Sequence, residues 1–393
     1  MEKAEFGLPE PLPTLPGNVL TPFRIAIPPD AIDDLHQRLE RIRWPRELPG
    51  DWERGVPVGY LRGVVERWLE FDWRVWETRL NAVPQYTTRI DGQTIHFLHA
   101  RSPEPSAVPL LLTHGWPGSV AEFLEVIGPL TDPSRYGGDA ADAFHVIAPS
   151  VPGHGFSVPL EEPGWDHVRI ARAWIELMER LGYDRYGAQG GDTGSVVSPL
   201  VGRLAPGRVI GVHLNGGLAF PAAEPGDLDA LSATDQAKLA TAEHFRATGT
   251  GYAELQSTKP QTVSFALSDS PVGQLAWILE KFHDWTDPAR SLPEDAVALD
   301  HLLANVSIYW FTNTSATSAN LYYESRGYPT ASSGVPTGVA VFPTDPAMRH
   351  ILEREHHLTH WAEYSRGGHF AALEAPDLLV EDIRVFFRSL RQQ

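Results

Sequence analysis

A short glycine-rich motif, Gly190-Gly191-Asp192-Thr193-Gly194, places an aspartate where it could act as a nucleophile. Its spacing is that of the nucleophile elbow, Gly-x-nucleophile-x-Gly, with Asp192 in the position that serine takes in many hydrolases. Small flanking residues let the chain turn sharply from a strand into a helix, which lifts the central side chain off the sheet beside the helix N-terminus. The alternative is a glycine-rich turn in which Asp192 only caps the helix.

A second loop, His114-Gly115-Trp116-Pro117, directly follows the apolar strand pattern VPLLLT. A loop in that position can aim a backbone N–H, that of Trp116, at a developing oxyanion, and the N–H of Thr193 would be the second donor. An ordinary strand-to-helix turn is the alternative. The order strand, His-Gly-x-Pro, helix, strand, helix, elbow favours the oxyanion interpretation.

A histidine near the C-terminus stands where hydrolases of this architecture have their general base. His369 lies in the segment RGGHF, between the last predicted strand and the last helix. The order along such chains is nucleophile, acid, histidine, so the acid should follow the strand GVAVF, where Asp345 stands. Asp345 beside a proline could instead be a solvated turn residue, and Glu363 and Glu324 are the fallback acids.

Strand and helix patterns alternate along the middle of the chain, which predicts an α/β protein. A β-hairpin around Asp91-Gly92 comes first, because this dipeptide favours a tight turn. Buried strands and amphipathic helices then follow, in VPLLLT, FHVIAPS, WDHVRIARAWIELMERLGY, VIGVHLN, GVAVF and HWAEYS. This alternation predicts a mostly parallel sheet with helices on both faces. Between VPLLLT and FHVIAPS, Ser119 and Glu122 have the spacing of a capping box for another helix, which carries Phe123, Leu124, Val126, Ile127 and Leu130.

Two other regions have helical patterns without strand signals. After a proline-rich arm (1–20), three helical segments predict an all-helical N-terminal region, 1–85, that wraps the core. A second helical stretch predicts a lid, 216–334, inserted into a core formed by 86–215 and 335–393. Such a lid would cover the C-terminal edge of the sheet, where ligands bind in open α/β folds.

The composition indicates a folded protein that acts on a small neutral molecule. Hydrophobic residues make up 42% of the chain and charged residues 21%, which excludes a mainly disordered protein. The formal net charge of −18 has the wrong sign for binding nucleic acid or an anionic membrane. The chain lacks cysteine, which excludes a disulfide, a thiolate metal site and a cysteine nucleophile. It also lacks Gly-x-Gly-x-x-Gly and phosphate-loop motifs, which agrees with the expectation of no metal and no organic cofactor. Without a spanning apolar run or a signal-peptide pattern, we expect a cytoplasmic protein.

These segments together resemble the α/β-hydrolase epoxide hydrolases, in particular the microsomal branch that includes the juvenile hormone epoxide hydrolases. The resemblance covers nearly the whole chain and depends on FRIAIP, RIRWP, HGWPGS, GGDTG, STKPQTVSFALSDSPVGQLAWILEKFHDW, NLYYE and RGGHFAALEAPDLLVEDIRVFF. The membrane-anchoring N-terminal helix of microsomal members is missing. The chain therefore looks like a soluble bacterial form, and it is similar to the epoxide hydrolases of enediyne antibiotic pathways.

The resemblance implies the α/β-hydrolase fold and a role for each matching residue. Carried over by motif, these are the nucleophile Asp192, the acid Asp345 (Glu in many relatives), the base His369, and two lid tyrosines, Tyr252 and Tyr322, that hydrogen-bond the epoxide oxygen. Tyr323 is adjacent to Tyr322, which leaves that assignment open by one residue. Simple packing of amphipathic rings is the alternative for both tyrosines.

The implied reaction converts an epoxide, aryl or bulky alkyl, and water into a vicinal diol through an ester on Asp192. The implied partner is the small-molecule epoxide alone, and a homo-oligomer is left open. A haloalkane or haloacid dehalogenase is one alternative, since it shares the fold and the aspartate nucleophile but needs halide-binding donors. A catalytically inactive homologue that binds a small molecule is the other.

Overall fold

The structure, a computed structural model, describes residues 19–49, 51–216, 231–326 and 332–391. These residues form one sheet of nine strands, with helices around it. The strands are β1 (Thr21–Pro22), β2 (Gln85–Ile90), β3 (Gln93–Ala100), β4 (Val108–Thr113), β5 (Phe144–Pro149), β6 (Tyr186–Gly190), β7 (Val209–Asn215), β8 (Thr337–Val341) and β9 (Leu358–Glu363). Their order is β1-β2-β3-β5-β4-β6-β7-β8-β9. The pairings from β1 to β5 are antiparallel and those from β5 to β9 are parallel. The mostly parallel sheet and the hairpin at Asp91-Gly92 are confirmed.

Helices precede the sheet, alternate with its strands and fill the inserted region. The first six are α1 (Pro29–Glu40), α2 (Val58–Leu69), α3 (Trp73–Leu80), α4 (Leu124–Thr131), α5 (His167–Arg180) and α6 (Thr193–Leu204). The inserted region contains α7 (Ala233–Thr248), α8 (Gly251–Thr258), α9 (Pro260–Asp269), α10 (Pro271–Trp285), α11 (Pro293–Ala296), α12 (Leu299–Thr312) and α13 (Thr314–Glu324). The chain continues through α14 (Arg349–Glu355), α15 (Ala371–Glu374) and α16 (Pro376–Arg391). None of these helices is long and apolar enough to cross a bilayer.

The helices of the core lie on both faces of the sheet. In α5, Ile170, Trp174 and Leu177 recur at i, i+4 and i+7, so they share one helix face, and all three are fully buried with α6 against the sheet. On the opposite face, α4 and α16 contribute Ile127 and Phe386 to a second buried cluster. Burial of each such side chain contributes about 1.5–3 kcal/mol to folding, which holds the strand ends in place.

The N-terminal helices pack against the helices of the inserted region. Leu35 of α1 and Trp68 of α2 share an apolar cluster with Phe282 of α10. The indole nitrogen of Trp68 donates a hydrogen bond to the Ser307 hydroxyl of α12, at 2.9 Å. The same cluster includes Trp116, which follows β4. The N-terminal helices thereby support the helices of the inserted region, which lie at the carboxyl ends of the strands.

The N-terminal region is not all-helical, which corrects the prediction. Thr21 and Pro22 pair with β2, and the backbone N–H of Phe23 donates to the carbonyl of Gln85 at 2.8 Å. This pairing covers the edge that β2 would otherwise expose. A strand of two residues that includes a proline has no alternating pattern, so the sequence contains no signal for it. Residues 1–18 of the predicted arm lie outside the described residues, as do 217–230 and 327–331 of the predicted lid.

Candidate active site

Asp192 lies at the sharp turn between β6 and α6. Its φ of 53° and ψ of −120° are values that a residue with a Cβ atom rarely adopts, at a cost of about 1–3 kcal/mol. A Cβ atom on Gly190 would lie 2.6 Å from the backbone of Gly194, so this close approach requires glycine. The N–H of Asp192 donates to the carbonyl of Gly216 at 2.8 Å, which ties the turn to the end of β7.

Two backbone N–H groups converge on one oxygen of the Asp192 carboxylate. The N–H of Trp116 donates to Oδ1 at 2.9 Å, and the N–H of Thr193 donates to the same atom at 2.7 Å. A Cβ atom on Gly115 would lie only 2.1 Å from Oδ1, so the loop can approach the carboxylate because this residue is glycine. The two donors that the sequence predicted are thus brought together at a single oxygen.

His114 holds the loop after β4 in this position. The backbone N–H of Val151 donates to its Nε2 at 3.1 Å, and its Nδ1 lies 3.0 Å from the carbonyl of Gly115. Burial lowers the pKa of His114 to about 4, so the ring is neutral and has one donor and one acceptor nitrogen. His114 therefore has a structural task in the loop.

Two residues of α12 also support this loop, and sequence reasoning did not identify them. The Asn305 side-chain amide donates to the carbonyl of Pro117 at 2.6 Å. The Tyr309 hydroxyl donates to the carbonyl of Gly118 at 2.8 Å. Both side chains are buried, but Ser307 and Thr312 of the same helix are polar too, so the sequence has no signal that singles these two residues out.

His369 faces the other oxygen of Asp192. Its ring Nε2 lies 3.5 Å from Oδ2 of Asp192. The backbone N–H of His369 donates a hydrogen bond to the carbonyl of Trp285 at 2.9 Å. Burial by itself would lower the pKa of His369, but the carboxylate of Asp192 and the charges of Asp345 and Glu374 outweigh it and raise the pKa. Burial would likewise raise the pKa of Asp192, but His369 and the two N–H groups hold it below the ordinary value. Each of the two groups therefore stabilises the charged form of the other.

Of the three candidate acids, Asp345 is the one that lies in the buried region around His369. It is 5% exposed, and its Oδ2 accepts hydrogen bonds from the N–H groups of Phe342 at 3.0 Å and Gly216 at 3.3 Å. Glu363 is half-exposed and accepts a hydrogen bond from the indole of Trp361 at 2.9 Å. Glu324 is the last residue of α13, in the inserted region. The geometry therefore favours Asp345 over both fallback acids.

A pair of carboxylates that the sequence did not reveal clamps the His369 loop to the end of α10. Glu374 accepts hydrogen bonds from the N–H of Phe370 at 2.9 Å and from the N–H of Asp287 at 2.7 Å. Asp287 in turn accepts a hydrogen bond from the N–H of Gly367 at 3.0 Å. Burial raises the pKa of Glu374 to about 7, against the effect of these N–H donors. The clamp joins the inserted region to the loop that carries the histidine.

The two lid tyrosines lie together above the loop at Trp116. The ring of Tyr252 stacks on the Trp116 indole, with centroids 5.1 Å apart and planes 8° apart. Tyr322 meets the same indole edge-on at 5.8 Å and lies 5.8 Å from Tyr252. Tyr323, by contrast, is 44% exposed and contacts the guanidinium of Arg326 at 4.5 Å. The structure therefore brings Tyr322, and not Tyr323, to Tyr252.

Glu122 does not form the capping box that its spacing predicted. A 3₁₀ turn, Val120–Phe123, precedes α4, and Ser119 caps it by accepting a hydrogen bond from the N–H of Ala121 at 3.3 Å. The Ser119 hydroxyl also donates a hydrogen bond to the side-chain oxygen of Asn305. The Glu122 side chain instead lines a cavity beside Asp192 and His369. Burial, together with the charge of Asp192, raises the pKa of Glu122 well above its ordinary value.

Within the described ranges, no group of three or more His, Asp or Glu side chains has an arrangement that could hold a metal ion. Asp382 has two histidine neighbours, with His213 Nε2 at 2.8 Å and His360 Nε2 at 2.9 Å from its Oδ1. Both contacts are hydrogen bonds to one carboxylate oxygen, so this group anchors α16 to β7 and β9.

Most of the chain is similar to known proteins. Residues 20–123 match the family described as "Epoxide hydrolase N terminus", and residues 108–333 match the family described as "alpha/beta hydrolase fold". A Stigmatella aurantiaca protein named "Putative epoxide hydrolase" is 50% identical over 379 residues, which are 95% of this chain and 86% of that protein. The chain belongs to the epoxide hydrolase family. Epoxide hydrolase 1 of Sus scrofa is 37% identical over 95% of this chain and 90% of its own length.

Solved structures of epoxide hydrolases confirm the α/β-hydrolase fold. The Aspergillus niger epoxide hydrolase superposes with a TM-score of 0.85 at 34% identity, over 95% of this chain and 97% of that chain. The juvenile hormone epoxide hydrolase of the silkworm Bombyx mori superposes with a TM-score of 0.86 at 30% identity, over 95% of each chain. The family resemblance that the sequence motifs implied is therefore confirmed.

Proposed function

We propose that the protein adds water to an epoxide and releases a vicinal diol. The observation that carries this proposal is the arrangement around Asp192. Backbone N–H groups hold one of its oxygens, and the other oxygen lies 3.5 Å from Nε2 of His369. Membership of the epoxide hydrolase family supports the same reaction. The aromatic rings of Trp116, Tyr252 and Tyr322 support an apolar substrate, an aryl or bulky alkyl epoxide.

In the first step, Oδ2 of Asp192 attacks a ring carbon of the epoxide. A new C–O bond forms to the carboxylate, the ring C–O bond breaks, and the former ring oxygen becomes an alkoxide. Tyr252 and Tyr322 donate hydrogen bonds to this oxygen, and one of them supplies its proton. Nucleophile and acid therefore act on opposite ends of the same breaking bond, and the product is an ester on Asp192.

Formation of the ester changes the basicity of His369. The carboxylate of Asp192 contributes most to raising the pKa of His369 against burial in the free site. The ester has no charge, so this contribution disappears while the effect of burial stays. The pKa of His369 should therefore fall after the first step, which favours the neutral imidazole at the point where a base is needed.

In the second step, His369 removes a proton from water, and the hydroxide oxygen attacks the ester carbon of Asp192. Negative charge then develops on Oδ1, the atom to which the N–H groups of Trp116 and Thr193 donate. The bond from the ester carbon to Oδ2 breaks, and the imidazolium of His369 returns its proton to Oδ2, so that the diol leaves neutral. The new carboxyl group of Asp192 then ionises, and its proton replaces the one that the tyrosine gave up. Asp345 orients the imidazole and stabilises its protonated form.

Turnover of styrene oxide and of bulkier aryl and alkyl epoxides, with chiral analysis of the diols, tests this function. The account predicts diol formation by the purified protein without added cofactor. Parallel assays with haloalkanes and haloacids should release no halide. Halide release without epoxide hydration would instead favour a dehalogenase, and binding of an epoxide without turnover would favour an inactive homologue.

Replacing either lid tyrosine with phenylalanine should slow ring opening. Loss of one of two donors to a developing oxyanion costs about 2.7–4 kcal/mol, roughly 100 to 1,000-fold in rate. We expect this for Tyr252→Phe and for Tyr322→Phe in single-turnover experiments. The double variant should nearly abolish ring opening, while hydrolysis of an ester once formed should survive.

Tyr323→Phe is the matched control, because Tyr323 has the same chemistry one residue away but is 44% exposed. It should open the epoxide at the rate of the unmodified protein. If Tyr323→Phe is the slow single variant, the assignment is off by one residue. If neither Tyr252→Phe nor Tyr322→Phe slows ring opening tenfold, both tyrosines are packing residues.

A cytoplasmic location and kinship with the enzymes of enediyne pathways stay predictions, and the oligomeric state is left open. Assays on epoxides of increasing size test the kinship with the enediyne enzymes, because they report the volume of substrate that the site accepts.

A further inference from the structure

Lys281 of α10 is a buried cation beside the candidate active site. It is 2% exposed, and full burial of a lysine is rare because removal of its charge from water is costly. Its Nζ lies 2.6 Å from Oε1 of the neighbouring Glu280, whose side chain is 35% exposed. The ion pair explains how the charge is tolerated. It does not explain why a lysine stands on the buried face of α10, where Ile278 and Trp285 are its neighbours.

The amino group of Lys281 points at the ring of Tyr252. Its Nζ lies 4.6 Å from the centre of that ring and 5.7 Å from the centre of the Trp285 ring. The Tyr252 ring also stacks on the indole of Trp116. Tyr252 is therefore in contact with both an aromatic plane and a buried positive charge.

We propose that Lys281 is a positioning residue for ring opening, which acts through Tyr252 by stabilising the negative charge that this phenol acquires. The proposal depends on the proposed function, in which Tyr252 donates to the epoxide oxygen. When the ring opens, proton density moves from the phenol toward the alkoxide, and negative charge builds on the phenol oxygen and ring. A cation over the ring attracts this charge more strongly than it attracts the neutral phenol.

This difference between the two states is what makes the contact relevant to rate. Only an interaction that is stronger in the transition state than in the ground state accelerates the chemical step. Because Lys281 is buried, water screens its charge little, and its position is fixed before the reaction begins. The same charge should not affect hydrolysis of the ester, since the phenols have no part in that step.

Single-turnover ring opening of styrene oxide by Lys281 variants tests the proposal. Lys281→Met keeps the length of the side chain and removes the charge, and we expect ring opening to slow by about tenfold, or 1.4 kcal/mol in barrier height. Glu280 would keep its access to solvent, so this variant should fold. Lys281→Arg, which retains a cation, should recover most of the rate, and ester hydrolysis should be unchanged in both.

A double-mutant cycle with Tyr252→Phe separates an electrostatic role from a packing role. Phenylalanine keeps the ring but has no proton to donate, so in the Tyr252→Phe background Lys281→Met should cause no further slowing. In the Tyr322→Phe background it should still slow ring opening about tenfold. Equal slowing by Lys281→Met with and without the Tyr252 hydroxyl would overturn the proposal, because it would mean that Lys281 only packs the ring.

Glu280→Gln is the matched control, since it removes the partner and leaves the cation. It should not slow ring opening, and slowing as large as that of Lys281→Met would contradict the proposal. The result for Tyr252→Phe alone distinguishes failure of the inference about Lys281 from failure of the proposed function. If Tyr252→Phe is slow and Lys281→Met is not, only the inference about Lys281 fails. If Tyr252→Phe is as fast as the unmodified protein, the role of Tyr252 in the proposed function fails.

Discussion

Replacing Asp192 with asparagine should abolish diol formation. The amide keeps an oxygen that can accept the hydrogen bonds of Trp116 and Thr193, so the fold and the elbow should persist. An amide oxygen is, however, a far poorer nucleophile than a carboxylate, so no ester should form. The measurement is the initial rate of styrene oxide hydration, read at early times because deamidation would slowly restore aspartate.

This substitution also separates the two interpretations of the elbow. Asparagine is about as good a helix N-cap as aspartate, so a residue that only caps α6 would tolerate the change. Asp166 provides a matched control, because it caps α5 and its Oδ1 accepts from the N–H of Arg169 at 2.8 Å. Asp166→Asn should retain full activity. Full and stable activity of Asp192→Asn would falsify the assignment of the nucleophile.

Replacing His369 with glutamine should stop the reaction at the ester. Ring opening needs the carboxylate of Asp192 and the tyrosine donors, whereas hydrolysis needs a base to activate water. Mass spectrometry of the intact protein after mixing with an epoxide should therefore reveal an adduct with the mass of one substrate molecule. Steady-state diol formation should fall to the rate at which the ester hydrolyses without a base.

The double variant Asp192→Asn/His369→Gln is the control for this experiment. It should form no adduct, because the residue that would carry the ester is absent. An adduct of the same size in the double variant would mean that the epoxide reacts elsewhere on the protein. If His369→Gln binds the epoxide and forms no adduct, the scheme of two steps is wrong.

The elbow and the oxyanion loop could be predicted because each is contiguous in the chain. The geometry of each turn is determined by adjacent residues: Gly190 and Gly194 in the elbow, and the segment from His114 to Pro117 in the oxyanion loop. The order of the strands then brings the two turns together. The position of His369 after the last strand follows from the same order. Once the sheet is mostly parallel, the carboxyl ends of its strands must share one edge, so the main site residues meet there.

The supports of the site could not be predicted, because they depend on approaches between distant segments. Asn305 reaches the loop at Pro117 across 188 residues, and Glu374 reaches Asp287 across 87. Neither pair has a local pattern, since asparagine in a helix and glutamate near a turn are common. The Glu122 prediction was wrong for a related reason. The spacing of a capping box is local, but the Ser119 hydroxyl, at the start of the 3₁₀ turn Val120–Phe123, donates to Asn305 of α12 across 186 residues.

A single turnover in water enriched in oxygen-18, with enzyme in excess over styrene oxide, tests the ester on Asp192 most directly. Because Oδ2 leaves with the diol and the water oxygen stays on the aspartate, the diol of the first turnover should contain no heavy oxygen. The peptide that contains Asp192 should carry the label instead. Heavy oxygen in the diol of the first turnover, with an unlabelled Asp192 peptide, would show that water attacks the epoxide directly and would contradict the account.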